Sequence, residues 1–141
     1  MQIKEIMTKA PTCCTPETTV DKIGRLMLEH DCGQIPVCDG TKLVGVITDR
    51  DIACRGLAKG KDPLRTTARE IMTRKLFTIK ETDPLEDVVS LMEEHQVRRI
   101  PVVRDGKIVG IVALADLVPH LPAPRVTQLV RAISKPSRVV A

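Results

Sequence analysis

Residues 45–51 read "GVITDRD" and residues 110–116 read "GIVALAD". The stretches lie sixty-five residues apart, open on Gly45 and Gly110 and close on Asp51 and Asp116. Between those ends Thr48 is answered by Ala113, and Arg50 by Ala115. Extended in both directions at that offset, residues 6–52 align with 71–117 without a gap, and fourteen of the forty-seven positions are identical. Chance would give about three, because two unrelated residues match roughly one time in seventeen. The chain is therefore two copies of one unit, and the fold must be a repeat fold.

Within a copy the order of elements follows from local signals. A short strand is predicted near Cys13–Thr15 and again near Thr78–Lys80. A helix follows, with Asp83 as its cap, Pro84 at its first position and Glu86 three residues after the cap; Thr18 and Asp21 hold the matching places in copy one. Leu85, Val88, Val89 and Met92 recur at helical spacing and give it one apolar face. Two strands come next, Ile35–Cys38 and Leu43–Ile47, turned by Asp39-Gly40; copy two uses Ile100–Val103, Asp105-Gly106 and Ile108–Val112. A last helix begins after Thr48 or Ala113. The unit is β-α-β-β-α, the fold class is α+β, and about 50 residues are too few for a good core, so two units should pack together.

These signals divide the chain into repeat 1 (1–58), a polar linker bearing Gly and Pro (59–67), repeat 2 (68–118) and a tail (119–141). In the tail, Val126, Leu129, Val130 and Ile133 mark a short amphipathic helix whose apolar face needs a partner, either the body of the protein or a second subunit.

Composition narrows the function. There is no Trp or Tyr and only one Phe, Phe77, so base stacking on aromatic platforms is not expected and a nucleobase would have to rest on aliphatic side chains. The net charge of +4 is scattered, which argues against nucleic acid as a partner. Without a signal-peptide core or an apolar span of roughly 20 residues, the expected compartment is the cytoplasm, and the five cysteines are expected to be reduced thiols. No nucleophile elbow, P-loop or G-x-G-x-x-G is written, so an enzyme is not expected.

Thr48 followed three residues later by Asp51 is a capping box at a helix start. The same pattern sets a hydroxyl, a carboxylate and free N–H groups where a ribose and phosphate can be received, and Gly45 would let backbone and ligand come close. The tandem units, each with "IMT", "IPV" and a closing G-h-x-T-x-x-D frame, closely resemble the cystathionine β-synthase (CBS) domain pair, or Bateman module, over about residues 6–118. In length and tail the chain is similar to small stand-alone bacterial CBS proteins.

The resemblance implies an adenosine-bearing ligand, AMP, ADP, ATP or S-adenosylmethionine, in the cleft between the copies, and a regulatory signal passed to a separate protein target. By the same resemblance Thr48 and Asp51 would hold ribose and phosphate, with Arg50 beside them. Cys13, Ile35 and Pro36 would line the adenine pocket, and Arg98 and Arg99 would reach the phosphates. Copy one has only Gly33 and Gln34 where copy two has the arginines, so one complete site is expected from Thr48, Asp51, Arg98 and Arg99, with Asp116 marking a weaker second site. Two rival chemistries stand beside this reading. Cys13 and Cys38 would come close enough in such a fold for a disulfide, and His95 with His120 offers the start of a zinc site. A homodimer is expected from family habit and from the open face of the tail helix.

Overall fold

A computed structural model describes residues 1–136; the end of the predicted tail, residues 137–141, lies outside the described residues. Six strands and six helices follow in chain order: β1 (Thr8–Lys9), α1 (Val20–His30), β2 (Gln34–Asp39), β3 (Lys42–Thr48), α2 (Asp49–Asp51), α3 (Ala68–Ile71), β4 (Ile79–Lys80), α4 (Leu85–His95), β5 (Arg99–Arg104), β6 (Lys107–Ala113), α5 (Leu114–Leu117) and α6 (Ala123–Ile133). None of these helices is long and apolar enough to cross a membrane. The fold is α+β, and the chain divides into two compact units.

The first unit comprises Met1–Ala10, Phe77–Asp105 and Val109–Ala141, and the second Pro11–Leu76 and Gly106–Ile108. Both are built to one plan. In the first, the strand order is β4-β5-β6-β1, with Ile79 parallel to Val102 and Thr8 antiparallel to Ile111. In the second, Cys14 bridges Val37 in parallel, β2 and β3 form a hairpin, and Val46 bridges Thr73 antiparallel. The pairings Cys14–Val37 and Val46–Thr73 of one unit recur in the other at the sixty-five-residue offset as Ile79–Val102 and Thr8–Ile111.

Each unit takes its last edge from the opening segment of the other repeat. Residues Ile3 and Lys4 donate to the carbonyls of Asp83 and Glu81, just as Ala68 and Arg69 donate to those of Thr18 and Pro16. The shared glycines explain why this edge can come so close. A Cβ at Gly45 would stand 2.8 Å from Met72 Sδ and 3.0 Å from the Thr73 carbonyl oxygen; at Gly110 it would stand 2.5 Å from Met7 Sδ and 2.9 Å from the Thr8 oxygen. "IMT" and "VG" are thus the two halves of one contact, and Gly45 leaves room for Met72 and Thr73, where the sequence suggested room for a ligand.

Core formation follows the predicted faces. Val20, Ile23 and Met27 of α1 pack with Ile35, Val37, Ile47, Ile71 and Met72; Val88, Val89 and Met92 of α4 pack with Ile100, Val102, Val112 and Leu117. Each helix stops at a residue in the left-handed region, Asp31 at φ 48° and Gln96 at φ 54°. Two local boundaries differ from expectation. The residues capping α1 and α4 are Thr19 and Pro84, because Thr18 and Asp83 close the preceding turn, accepting the N–H groups of Thr15 and Lys80 at 3.0 Å. The first hairpin turns at Gly40-Thr41, one residue later than the predicted Asp39-Gly40, with Gly40 at φ +63°.

The face of α6 has its partner in its own unit. Leu129 and Ile133 are buried with α4, and Arg125 forms ion pairs with Glu86 and Glu93 of that helix. Of the two partners the sequence allowed for this face, the body of the protein is the one that covers Leu129 and Ile133. The predicted linker is also engaged: Val20 and Asp21 donate to the carbonyls of Thr66 and Pro63, and at the start of α3 Glu70 Oε2 accepts the Thr67 N–H at 2.7 Å.

Candidate functional site

The site is built around Asp51 in α2, the turn that follows β3. Thr48 caps the turn: its Oγ1 accepts the Asp51 N–H at 3.0 Å, and Asp51 Oδ2 accepts the Thr48 N–H at 3.0 Å. The hydroxyl of Thr73, absent from the sequence-based site, donates to Oδ1 and Oδ2 at 3.3 and 3.2 Å. Arg55 Nε lies 3.7 Å from Oδ1, and Arg55 Nη1 donates to the Met72 carbonyl at 3.2 Å. The Asp51 side chain is 11% exposed, so these groups offset the cost of holding a carboxylate away from water. Arg50 is exposed on the same turn.

The matching turn in repeat two is poorer. Asp116 Oδ2 accepts the Ala113 N–H at 2.8 Å, and Ala113 has no oxygen to return. Thr8, the counterpart of Thr73, makes no bond to Asp116 among the described residues. His120 occupies the position equivalent to Arg55.

Ile35 is 1% exposed in the core of the second unit, and Pro36, also buried, offers its carbonyl to the Cys14 N–H at 2.9 Å. Arg98 and Arg99 lie in the first unit at the start of β5; both are exposed, and neither guanidinium has an ion pair among the described residues. The Arg98 carbonyl accepts the Leu114 N–H at 2.9 Å.

All five cysteines are free thiols. Cys13 and Cys38 are neighbouring thiols that influence each other electrostatically, and Cys13 donates to the Pro11 carbonyl at 3.3 Å. Burial pushes the Cys14 thiol up to about 11 and the Cys38 thiol up to about 12, in each case helped by a neighbouring sulfur. At pH 8 a thiol of pKa near 11 is ionised to roughly one part in a thousand. Iodoacetamide at pH 8 should therefore label exposed Cys54 at least tenfold faster than Cys14 or Cys38 in the folded protein, as read by peptide mass spectrometry. Equal labelling would contradict this thiol cluster.

His95 ends α4 with its ring stacked on Phe77, centroids 3.6 Å apart and planes at 14°. His120 is exposed at the end of a short 3-10 turn. Among the described residues no three His, Cys, Asp or Glu side chains converge as a metal site, so His95 and His120 do not form one with a third ligand there.

Comparison with known proteins places the repeat. The family model described as the CBS domain matches residues 3–55 and 68–123. The chain belongs to the CBS-domain family. Hypoxic response protein 1 of Mycobacterium tuberculosis is 40% identical over 134 residues, covering 94% of each chain. A crystal structure of hypoxic response protein I with two coordinated zinc ions matches with a TM-score of 0.79 at 39% identity, over 86% of this chain and 100% of that one. The CBS domain pair of protein MJ0100, in complex with 5′-methylthioadenosine and S-adenosyl-L-methionine, matches with a TM-score of 0.76 at 32% identity, over 85% of this chain and 94% of that one. CBSX2 in complex with AMP gives a TM-score of 0.72 at 30% identity, over 84% and 94% of the two chains.

Thr73 and Arg55 are what a search for ligand motifs in this CBS pair passes over. Both are separated from "TDRD" by an element boundary. The available signal was the threonine of "IMT", whose hydroxyl a purely packing motif does not need.

Proposed function

We propose that this CBS pair is a non-catalytic sensor that binds one adenosine-bearing ligand through the Thr48–Asp51 turn and signals its presence to a separate protein. The observation that carries the reading is the Asp51 carboxylate, nearly buried, held by donors from two segments and still rich in unspent acceptor capacity. An ionised carboxylate offers about four lone-pair directions, enough for adjacent ribose hydroxyls beside the bonds already made. Arg98 and Arg99 are exposed and have no ion pair among the described residues, and such guanidinium groups suit a phosphate. The presence of AMP in CBSX2 and of S-adenosylmethionine with MJ0100 supports the ligand class. Binding energy that favours one arrangement of the chain over another would then alter affinity for the target by linkage.

Calorimetric titration of the reduced protein with AMP, ADP, ATP and S-adenosylmethionine tests this. Saturation near one ligand per chain is expected, with affinity at least tenfold weaker in Asp51→Ala, a loss of about 1.4 kcal/mol or more. No binding by any of the four, or equal binding by the variant, would overturn it. A second reading, redox sensing through Cys13 and Cys38, draws on the contact between their thiols. It requires that Cys38→Ser abolish the response while Asp51→Ala leaves it intact.

A further inference from the structure

We infer that Thr73 is a positioning residue for the Asp51 carboxylate, holding it for the adjacent ribose hydroxyls already assigned to it; this rests on the function proposed above. A carboxylate plane turns easily about its last torsion, so one donor does not fix it. Asp51 has two, on different segments. The Thr48 N–H holds Oδ2 from the cap, and the Thr73 hydroxyl, with a single proton, lies almost equidistant from both oxygens.

Arg55 reinforces the arrangement from the other side. Its Nη1 donates to Met72 O at 3.2 Å, tying the segment that carries Thr73 to the turn that carries Asp51. Its Nε, at 3.7 Å from Oδ1, balances the carboxylate's charge without consuming a lone pair. About two acceptor directions then remain, fixed in space, which suits two adjacent hydroxyls. Repeat two keeps the aspartate but lacks this support: Asp116 takes the Ala113 N–H, Thr8 makes no bond to it, and His120 stands in the place of Arg55. Diol recognition should therefore belong to the turn of repeat one.

The test measures binding of AMP and of 2′,3′-dideoxyadenosine 5′-monophosphate by calorimetry to the wild-type chain and to Asp51→Ala, Thr73→Val and Thr73→Ser. Wild type should prefer AMP by at least tenfold, as expected of a site built to bond hydroxyls. Thr73→Val should cut that preference to about threefold or less while binding the dideoxy nucleotide as wild type does, and Thr73→Ser should retain the preference. If Thr73→Val keeps the wild-type preference while Asp51→Ala loses it, Thr73 is only a packing residue and the Asp51 site stands. If Thr73→Val weakens both nucleotides equally, its effect is structural and the inference falls. If wild type itself does not distinguish the two nucleotides, or binds neither, the Asp51 reading fails and takes this one with it.

Discussion

Gly110→Ala should destabilise the protein by about 3 kcal/mol, the upper range for forcing atoms into a packed interior. The new Cβ would meet Met7 Sδ at 2.5 Å and the Thr8 carbonyl oxygen at 2.9 Å. The methionine tip can swing away, but the carbonyl cannot, because Thr8 and Lys9 are paired with Ile111 and Gly110 across the β1–β6 ladder. Relief requires the two strands to part. Gly45→Ala should cost somewhat less, since its nearest backbone atom, Thr73 O, is 3.0 Å away. Gly24→Ala supplies the opposite sign: nothing lies within 4 Å of a Cβ there, and alanine in a helix gains about 1 kcal/mol over glycine. Urea titration of the three variants gives the order directly, and a Gly110→Ala protein as stable as wild type would refute the contact.

Arg125→Ala should cost about 2 kcal/mol, the scale of lost charge-assisted hydrogen bonds. The guanidinium is 21% exposed and donates to Glu86 at 2.6 Å and to Glu93 at 2.8 and 2.9 Å, the second pair being bidentate. Removing it leaves two carboxylates facing each other on α4 and loosens α6. The effect should depend on pH in one direction. The hydrogen bonds from Arg125 hold the Glu93 carboxyl below the usual carboxylate range. A group whose folded pKa is depressed stabilises fully above its unfolded pKa, about 4.3, and loses that contribution as pH falls through the folded value. The gap in Tm between wild type and Arg125→Ala should therefore be full at pH 7 and shrink as pH falls below about 4.3, the unfolded value. A gap that widens in acid would contradict the pairing.

Much of the fold was readable because its signals are local. The short apolar run Ile35–Cys38, stopped by a turn signal, and the helical spacing of Val88, Val89 and Met92 depend only on which residues meet a core. The turn Asp105-Gly106, with φ of 53° and 77°, likewise declares itself in two residues. What stayed hidden depends on partners far along the chain. Asp83 has the chemistry of a helix cap, yet its carboxylate finds the Lys80 N–H first, and no propensity ranks those two options. The tail helix shows an apolar face in sequence but not what it covers. The clue lay on α4, where Glu86 and Glu93 stand seven apart while α1 has Asp21 and Leu28 at those places. At the candidate site, Thr48 and Asp51 were evident because one turn contains both. Thr73 was not, since its role arises from a bridge to Val46 that links residues twenty-seven apart.

The exchange of opening segments between repeats has a consequence for how the chain is made. The second unit cannot close at residue 51, because its sheet edge at Val46 waits for Thr73. At synthesis rates of about 5–20 residues per second, that wait lasts roughly one to four seconds. During it, the unpaired N–H and C=O of Val46 offer a docking edge to any neighbouring nascent chain. The polar segment between the repeats, rich in lysine and arginine, emerges during this interval, and its repulsion between like chains would keep ribosome-bound copies from pairing with each other before each can pair with itself.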